Sequence, residues 1–268
     1  MDKKIGFIGC GKMAQAMIEG LIDSDKWDST QIKASAKSQQ TVDAVRERLK
    51  ISITTNNKEI AQWADILFLA IKPHLHGEVI QEVREYVRAE TIVVTIAAGI
   101  TLDYLEQQFA QKLKVIRAMP NTPSLVREGM SGICANEFVT EQDLIDVRDL
   151  FNCFGKVEVV EENLMDAIPA VSGSSPAYVY MFIEALADGA VKQGLSREKA
   201  YTFAAQAVLG AAKMVLETGK HPGELKDQVC TPGGATIEAV ASLEKNGFRS
   251  AVLEAMESCT LKTRALSR

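Results

Sequence analysis

Two closely spaced glycines after the first apolar run offer the clearest chemistry in the chain. Gly9 and Gly11 follow the run Ile5–Ile8, and apolar residues then recur at helical spacing. A strand, a glycine turn and a helix in this order bind dinucleotides, because N–H groups at the helix start can hold a pyrophosphate. Ala14 completes the G-x-G-x-x-A spacing, which predicts such a site. The alternative is a glycine-rich turn that only connects two packed elements.

The stretch after the second predicted strand indicates which dinucleotide is bound. NAD-binding sheets carry an acid there, about twenty residues past the glycines, on the ribose 2′-hydroxyl. Residues 32–38 read I-K-A-S-A-K-S and contain no carboxylate. Lys37 and small hydroxyl side chains suit a 2′-phosphate, so we expect NADPH, with NADH as a weaker substitute. Lys37 could instead simply begin a solvated helix.

Two further turns follow apolar strands, at the edge where an open α/β sheet binds its ligand. Residues 70–74 read A-I-K-P-H, and residues 97–101 read A-A-G-I-T. Their small residues allow close approach by the ribose and nicotinamide, although Lys72 could be an ordinary surface lysine. His74 and His76 resemble a metal pair by type, but no further ligand at suitable spacing supports them. We expect two surface histidines.

A second glycine pair lies near the end of the chain, where residues 231–236 read T-P-G-G-A-T before an apolar helical pattern. A helix start with two glycines leaves several N–H donors open to an anion. A substrate carboxylate would fit there, with the Thr236 hydroxyl reaching one atom further. The alternative is a Pro-Gly turn that only starts a helix.

Apolar strands alternate with helical stretches in the first part of the chain. The candidate strands cover residues 4–8, 31–35, 51–54, 65–71, 91–96, 114–119, 131–135 and 156–160. Two of them are almost continuously apolar, as in parallel strands covered on both faces. We expect an α/β, Rossmann-type doubly wound sheet over residues 1–162, whose last two strands are candidate antiparallel additions at an edge.

The strand pattern ends there, and residues 163–268 predict helices. These cover 175–193, 197–218, 233–245 and 248–265. The segment 197–218 is rich in alanine and apolar over a wide arc, so it must be buried on more than one side. We therefore expect an all-α dimerisation domain in which a second subunit supplies the cover. The alternative is a central helix within a monomeric bundle.

Composition limits the other partners. The chain is 47% apolar and 24% charged, with a net charge of −5 and no block of basic residues, which disfavours nucleic acid and anionic membranes. No apolar run reaches the length of a membrane span, and no signal peptide pattern precedes the first strand. The cysteines, which form no C-x-x-C pair, fit small buried thiols in a reducing compartment. They are Cys10, Cys134, Cys153, Cys230 and Cys259. We expect a cytoplasmic protein without a metal site.

Residues 225–244, with their P-G-G-A-T core, resemble the signature of the Δ1-pyrroline-5-carboxylate reductase family, which makes proline. Further matching motifs run nearly end to end: G-F-I-G-C-G-K-M-A, L-A-I-K-P-H, A-A-G-I-T, M-P-N-T-P, S-G-S-S-P-A-Y, A-L-A-D-G and H-P-G-E-L-K-D. The resemblance implies a Rossmann domain followed by a helical domain that interlocks with a second subunit, and dimers that often assemble into rings. It also implies NADPH-dependent reduction of 1-pyrroline-5-carboxylate to L-proline, the last step of proline biosynthesis.

The resemblance also implies roles for single residues. The implied cofactor contacts are Ile8, Gly9, Cys10, Gly11, Lys12, Met13, Ala36, Lys37, Asn57, Ala70, Ile71, Lys72, Pro73, Ala97, Ala98 and Gly99. The implied substrate site comprises Val229, Gly233, Gly234, Ala235 and Thr236, with Thr236 as the catalytic residue near the imine nitrogen. Two positions depart from the family pattern. Many members have Ser in place of Ala36, which shifts part of the 2′-phosphate contact to Lys37 or softens NADP preference, and Ser175 replaces a frequent Gly.

The implied reaction transfers a hydride to the C=N carbon. A protonated imine accepts hydride readily, so positioning and charge placement can suffice. Residues 225–244 contain no Ser-His-Asp triad. A rival enzyme, a β-hydroxyacid dehydrogenase of similar architecture, uses a lysine on the helix that here begins near Pro176, and no lysine stands in its first turns. The rival from another class is a catalytically silent NADPH-binding regulatory protein, against which Thr236 and the P-G-G-A-T run argue.

Overall fold

The computed structural model describes residues 3–266, which form eight strands and eleven α-helices. The strands are β1 Ile5–Ile8, β2 Ile32–Ser35, β3 Ser52–Thr54, β4 Ile66–Leu69, β5 Ile92–Thr95, β6 Lys114–Met119, β7 Gly129–Ala135 and β8 Gly155–Val159. The helices are α1 Lys12–Asp23, α2 Gln39–Leu49, α3 Asn57–Trp63, α4 His76–Val83, α5 Leu102–Phe109, α6 Glu141–Phe151, α7 Ser175–Lys192, α8 Arg197–Thr218, α9 Pro222–Val229, α10 Ala235–Lys245 and α11 Phe248–Leu266.

All eight strands of residues 3–266 belong to one sheet, in the order β3-β2-β1-β4-β5-β6-β7-β8. The first six strands in sequence run parallel to one another. β7 runs antiparallel to β6, and β8 runs parallel to β7. The predicted Rossmann-type doubly wound sheet is confirmed, and its last two strands are antiparallel additions at one edge. The strand order reverses between β1 and β4, which is where sheets of this type bind their ligand.

Successive side chains of a strand point to opposite faces, and this alternation builds two apolar layers. Phe7 and Phe68 lie in one layer, where their rings stack with centroids 4.7 Å apart. Ile8 and Leu69, each one position further along the same strands, lie in the other layer. All four side chains are buried, so both faces of the central strands are covered. The near-continuous apolar runs of the sequence follow from this double cover.

The chain divides into two compact units, one of which comprises Ser175–Ser258. The other includes the sheet, extends to Ser174 and takes up the last part of α11 from Cys259. The predicted domain boundary between residues 162 and 163 stays a prediction. Two helices of the smaller unit, α7 and α8, pack through Ala187, Ala200 and Ala204.

Two features of the helical unit differ from the expectation. The short helix α9 was not predicted; Pro222 stands at its start, and Nδ1 of His221 accepts a hydrogen bond of 3.0 Å from the N–H of Gly223. α10 begins at Ala235, two residues after the predicted start at 233. Gly233 has φ +68°, which a right-handed helix excludes, and Gly234 is the N-cap. By contrast, α8 matches the predicted 197–218.

Candidate functional site

The turn after β1 is shaped by a glycine that no other residue can replace without strain. Gly9 has φ +90°, and a Cβ at this position would lie 2.6 Å from the carbonyl oxygen of Ala70. The Gly9 N–H donates to the carbonyl oxygen of Ser35, at the end of β2, over 3.1 Å. The turn therefore lies against the ends of both strands that neighbour β1 in the sheet.

The start of α1 is open to an anion. Gly11 is its N-cap, and a Cβ built on Gly11 would meet no atom within 4 Å. No side chain within residues 3–266 caps this helix end, and its first turn carries no acid. Free N–H groups and the helix dipole favour a phosphate at such a position, so the residues present fit the pyrophosphate of a dinucleotide.

Two adjoining cavities of about 320 and 400 Å³ lie at this edge of the sheet and share Ile71. They bring together all predicted cofactor residues except Cys10 and Gly99. The first cavity is lined by Ile8, Gly9, Ala36, Lys37, Asn57 and Ile71; the second is lined by Gly11, Lys12, Met13, Ala70, Ile71, Lys72, Pro73, Ala97 and Ala98. Gly99 follows the second group in sequence and has φ +75°. The roles of these residues stay predictions.

Cys10 lies in the glycine turn, but its side chain is buried. Burial raises the pKa of its thiol to about 11, an effect that the nearby Arg48 charge partly offsets. The thiol is therefore protonated and unreactive near neutral pH. Cys134 and Cys153 are buried as expected, whereas Cys230 and Cys259 are only half-buried, which corrects the expectation for these two.

Several residues that line the cavities were not singled out from the sequence. The first cavity is also lined by four residues whose spacing places them on one helix face: Leu75, which precedes α4, and Glu78, Val79 and Glu82 within α4. Met119, the last residue of β6, and Pro120, which follows it, line the second cavity; both belong to the M-P-N-T-P motif but were given no role from the sequence. The signal for Met119 and Pro120 was available, because they end an apolar strand of the parallel sheet.

His76 is buried, so the expectation of a surface histidine was wrong for it, while His74 is exposed. Its Nδ1 lies 3.3 Å from the carbonyl oxygen of Lys72, and its Nε2 lies 3.0 Å from Oγ1 of Thr95. A carbonyl oxygen only accepts, so Nδ1 carries the proton and Nε2 accepts from the Thr95 hydroxyl. Thr95 Oγ1 in turn accepts from the N–H of Ala97 over 3.3 Å. Burial holds the pKa of His76 below its usual value.

This chain of hydrogen bonds joins two cavity-lining segments through one neutral imidazole. Lys72 belongs to the segment after β4, and Ala97 belongs to the segment after β5. Both segments line the second cavity. His76 thus links two segments that carry predicted cofactor contacts. The sequence gave no clear signal that this first residue of α4 would be buried.

The second predicted site is a loop followed by a helix start in the helical unit. The Gly234 N–H donates to the Thr231 carbonyl oxygen over 3.0 Å, and a Cβ on Gly234 would lie 2.3 Å from Thr231 Oγ1. No side chain within the described residues caps α10. The N–H groups of its first turn, including those of Ala235 and Thr236, are therefore available to an anion.

Side chains around this helix start are accessible. Val229, the last residue of α9, is 63% exposed, and Thr236 is half-buried. The Thr236 hydroxyl has no hydrogen-bond partner among residues 3–266. The loop thus presents backbone donors and one free hydroxyl together. Glu238, also in the first turn, is the one acid there within the described chain.

Two other properties concern metals and membranes. Within residues 3–266, no group of three or more His, Cys, Asp or Glu side chains is arranged to hold a metal ion. None of the helices in this range is both long and apolar enough to cross a membrane.

The fold and the cavities define a protein of the Rossmann-type, dinucleotide-binding class. Residues 4–99 match the family model of the NADP oxidoreductases described as coenzyme F420-dependent. Residues 162–266 match the model for pyrroline-5-carboxylate reductase dimerisation. The chain is 51% identical to the pyrroline-5-carboxylate reductase of Escherichia coli over 268 residues, which cover 100% of both chains. It therefore belongs to the pyrroline-5-carboxylate reductase family.

Solved structures agree with this assignment. A pyrroline-5-carboxylate reductase from Coxiella burnetii is 34% identical, with a TM-score of 0.93 and 100% of both chains covered. The Plasmodium falciparum pyrroline carboxylate reductase with NADP bound is 33% identical, with a TM-score of 0.90, and 100% of this chain and 99% of that chain are covered. The predicted fold class, enzyme family and NADP-type cofactor are confirmed.

Proposed function

We propose that this protein reduces 1-pyrroline-5-carboxylate to L-proline with NADPH, the last step of proline biosynthesis. The observation that carries the proposal is the 51% identity over the whole chain with the reductase of Escherichia coli. When bound, NADPH supplies the hydride for the C=N carbon. Two glycine-lined helix starts, one in each compact unit, support the proposal because one suits a pyrophosphate and the other a carboxylate.

The cofactor is held, in this proposal, by the residues of the two cavities. N–H groups at the start of α1 bind the pyrophosphate, and Lys37 binds the 2′-phosphate. Lys37 is exposed and has no ion-pair partner among residues 3–266, so its charge is available. The small side chains of Ala97 and Ala98 leave room for the nicotinamide ribose, and Cys10 and Gly99 contribute through their backbone.

The substrate is held by the loop before α10. The N–H groups of Ala235 and Thr236 bind the carboxylate, Gly234 carries no side chain that could block it, and Gly233 supplies the left-handed turn before the helix start. Val229 provides an apolar contact for the ring. The Thr236 hydroxyl donates to, or orients a proton at, the imine nitrogen. A protonated imine is the better hydride acceptor, so this chain needs no strong acid or base of its own.

We further propose that the protein acts as a homodimer built through its helical unit, with a ring of dimers as the larger assembly. The match of residues 162–266 to a dimerisation model supports the dimer. Free cysteines throughout residues 3–266 fit a reducing compartment, and we propose the cytoplasm.

The test is direct. Purified protein with 1-pyrroline-5-carboxylate should consume NADPH, measured by the loss of its absorbance, and L-proline should appear in equal amount by chromatography. The six-membered cyclic imine acid serves as the comparison substrate. Binding of NADPH without any turnover of either imine would contradict the proposal and favour a catalytically silent NADPH-binding protein.

A further inference from the structure

The first cavity contains charges of both signs at the place where a 2′-phosphate is expected. Lys37 lies two residues after β2, in a stretch where the sequence shows no acid. Glu78 and Glu82 line the same cavity from α4, a different element. An acid therefore does stand in this cavity, and sequence distance from the glycines could not reveal it.

Glu82 is held in this cavity by a defined pair of hydrogen bonds. Its Oε2 accepts from Nδ2 of Asn57 over 2.9 Å, and Oδ1 of Asn57 accepts from the hydroxyl of Ser35 over 2.7 Å. Because a carboxylate only accepts, the amide must turn its nitrogen toward Glu82, which fixes its orientation. Ser35 is fully buried at the end of β2, so it anchors Asn57 and, through it, the carboxylate.

The carboxylate of Glu82 and the ammonium of Lys37 do not neutralise each other directly. No ion pair within 4 Å joins Lys37 to an acid among residues 3–266, although both side chains line one cavity of about 320 Å³. Each charge can therefore act on a bound nucleotide separately. A 2′-phosphate is attracted by Lys37 and repelled by Glu82, whereas a 2′-hydroxyl can donate a hydrogen bond to a carboxylate.

We propose that Glu82, oriented by Asn57, is a cofactor-specificity residue that lowers the preference for NADPH over NADH. The inference rests on the proposed cofactor site, because it assigns the adenosine half of the cofactor to the first cavity. Lys37 favours the 2′-phosphate and Glu82 opposes it, with Glu78 as a second acid of the same cavity, so the selectivity of the enzyme depends on the balance between these charges. The sequence alone shows only the favourable charge.

The test uses the adenosine half of the cofactor alone. Adenosine 2′,5′-bisphosphate and AMP differ only in the 2′-phosphate, and their Kd values can be measured by calorimetry on the full-length protein. In Glu82→Gln, adenosine 2′,5′-bisphosphate should bind more tightly and AMP equally or more weakly. We expect the ratio of the two Kd values to shift by about three- to thirtyfold toward the bisphosphate.

Glu85→Gln is the matched control. Glu85 lies just beyond α4, is exposed and pairs with Arg84 at 3.4 Å, but it does not line the cavity. This variant should leave the Kd ratio unchanged. A second variant, Lys37→Gln, should shift the ratio in the opposite direction, and Lys37→Gln with Glu82→Gln should fall between the two single variants.

Two results would overturn the proposal. An equal change in both Kd values for Glu82→Gln would assign the carboxylate to the adenine ring, which the two probes share. If neither Kd changed, Glu82 would have no influence on the bound nucleotide. No imine substrate and no nicotinamide enter this measurement, so it succeeds or fails independently of whether the protein reduces pyrroline-5-carboxylate.

Discussion

The two compact units bury their large apolar side chains to very different degrees. In the sheet unit, large side chains such as Phe7 and Phe68 have no exposed surface. In the helical unit, Met181 is 69% exposed and Phe203 is 67% exposed, while the buried side chains of its α7–α8 contact are alanines. Both units have ordinary apolar sequences. Their difference lies in whether one chain alone can cover its apolar residues.

This contrast agrees with the position of the cofactor cavities in the sheet unit and with a dimerisation model, residues 162–266, that covers the whole helical unit. A sheet covered on both faces is rigid, which suits a turn that must hold phosphates in place. A helix pair joined by alanines leaves its large side chains on the outside, where a second copy can cover them. The exposed apolar side chains of the helical unit therefore belong to assembly, in our proposal.

The largest effect on stability should come from the buried core of the sheet unit. Phe68→Ala should lower the free energy of unfolding by about 3–5 kcal/mol, because it removes a stacked, fully buried ring and leaves a cavity. Urea unfolding at fixed protein concentration measures it, and Tyr86→Ala, at a 40% exposed aromatic of the same unit, is the control. A loss below about 1 kcal/mol would mean that the sheet core repacks freely.

The next prediction concerns the exposed apolar side chains of the helical unit. Phe203→Glu places a charge on the exposed apolar surface of α8 and should weaken the dimer by about 2–4 kcal/mol if a second copy covers this ring. Sedimentation at micromolar concentration should then show monomer. Lys213→Gln removes one positive charge, the same net change of −1, at an exposed position of the same helix, where Lys213 lies 3.9 Å from Glu217, and should remain dimeric. If the Phe203 variant and the Lys213 variant sedimented alike, Phe203 would not be part of the dimer interface.

A smaller effect separates the side chain of Thr236 from the backbone around it. Thr236→Ala keeps the N–H groups at the start of α10, so substrate should still bind while kcat falls by about ten- to several-hundredfold. Thr236→Ser retains a hydroxyl and should recover most of the rate. Steady-state kinetics with both substrates varied distinguishes kcat from KM, and NADPH affinity should not change. An unaltered kcat in Thr236→Ala would leave the hydroxyl without a catalytic role.

Gly234→Val acts on the backbone side of the same site. The branched side chain would occupy the proposed place of the carboxylate and crowd Thr231 Oγ1, which lies 2.3 Å from a Cβ at this position. The KM for the imine should therefore rise steeply, with NADPH affinity unchanged as the control. A KM equal to that of the unaltered protein would show that the substrate carboxylate does not bind at this loop.

The sequence predicts the features that periodicity and backbone geometry determine. The strands of the sheet, the edge additions and α8 follow from apolar patterns, and Gly9 follows from the turn that only a residue with positive φ can make. Features that depend on contacts between distant segments could not be predicted. Glu82 reaches the cavity from α4, and buried His76 has its partner Thr95 on β5, 19 residues further along the chain.

The smallest expected effect concerns that buried histidine. In the fold, burial lowers the pKa of His76 below its unfolded value of about 6.5. Below that pH the unfolded chain takes up a proton that the folded protein binds less readily. The free energy of unfolding should therefore fall as the pH drops from about 6.5 toward the folded pKa, by at most about 1.4 kcal/mol per pH unit.

His76→Asn removes the titrating group while its amide can still donate to the Lys72 carbonyl oxygen. Its stability is expected to be lower at pH 7, since Thr95 loses a partner, but the part of the pH slope that belongs to His76 should disappear. Urea unfolding at several pH values and one protein concentration measures the slope difference between variant and unaltered chain. His74→Gln, which removes an exposed histidine two positions away, should retain the His76 slope. If His76→Asn kept the full slope, the imidazole would titrate alike in the folded and unfolded states, and the neutral tautomer that joins the two cavity-lining segments would have to be abandoned.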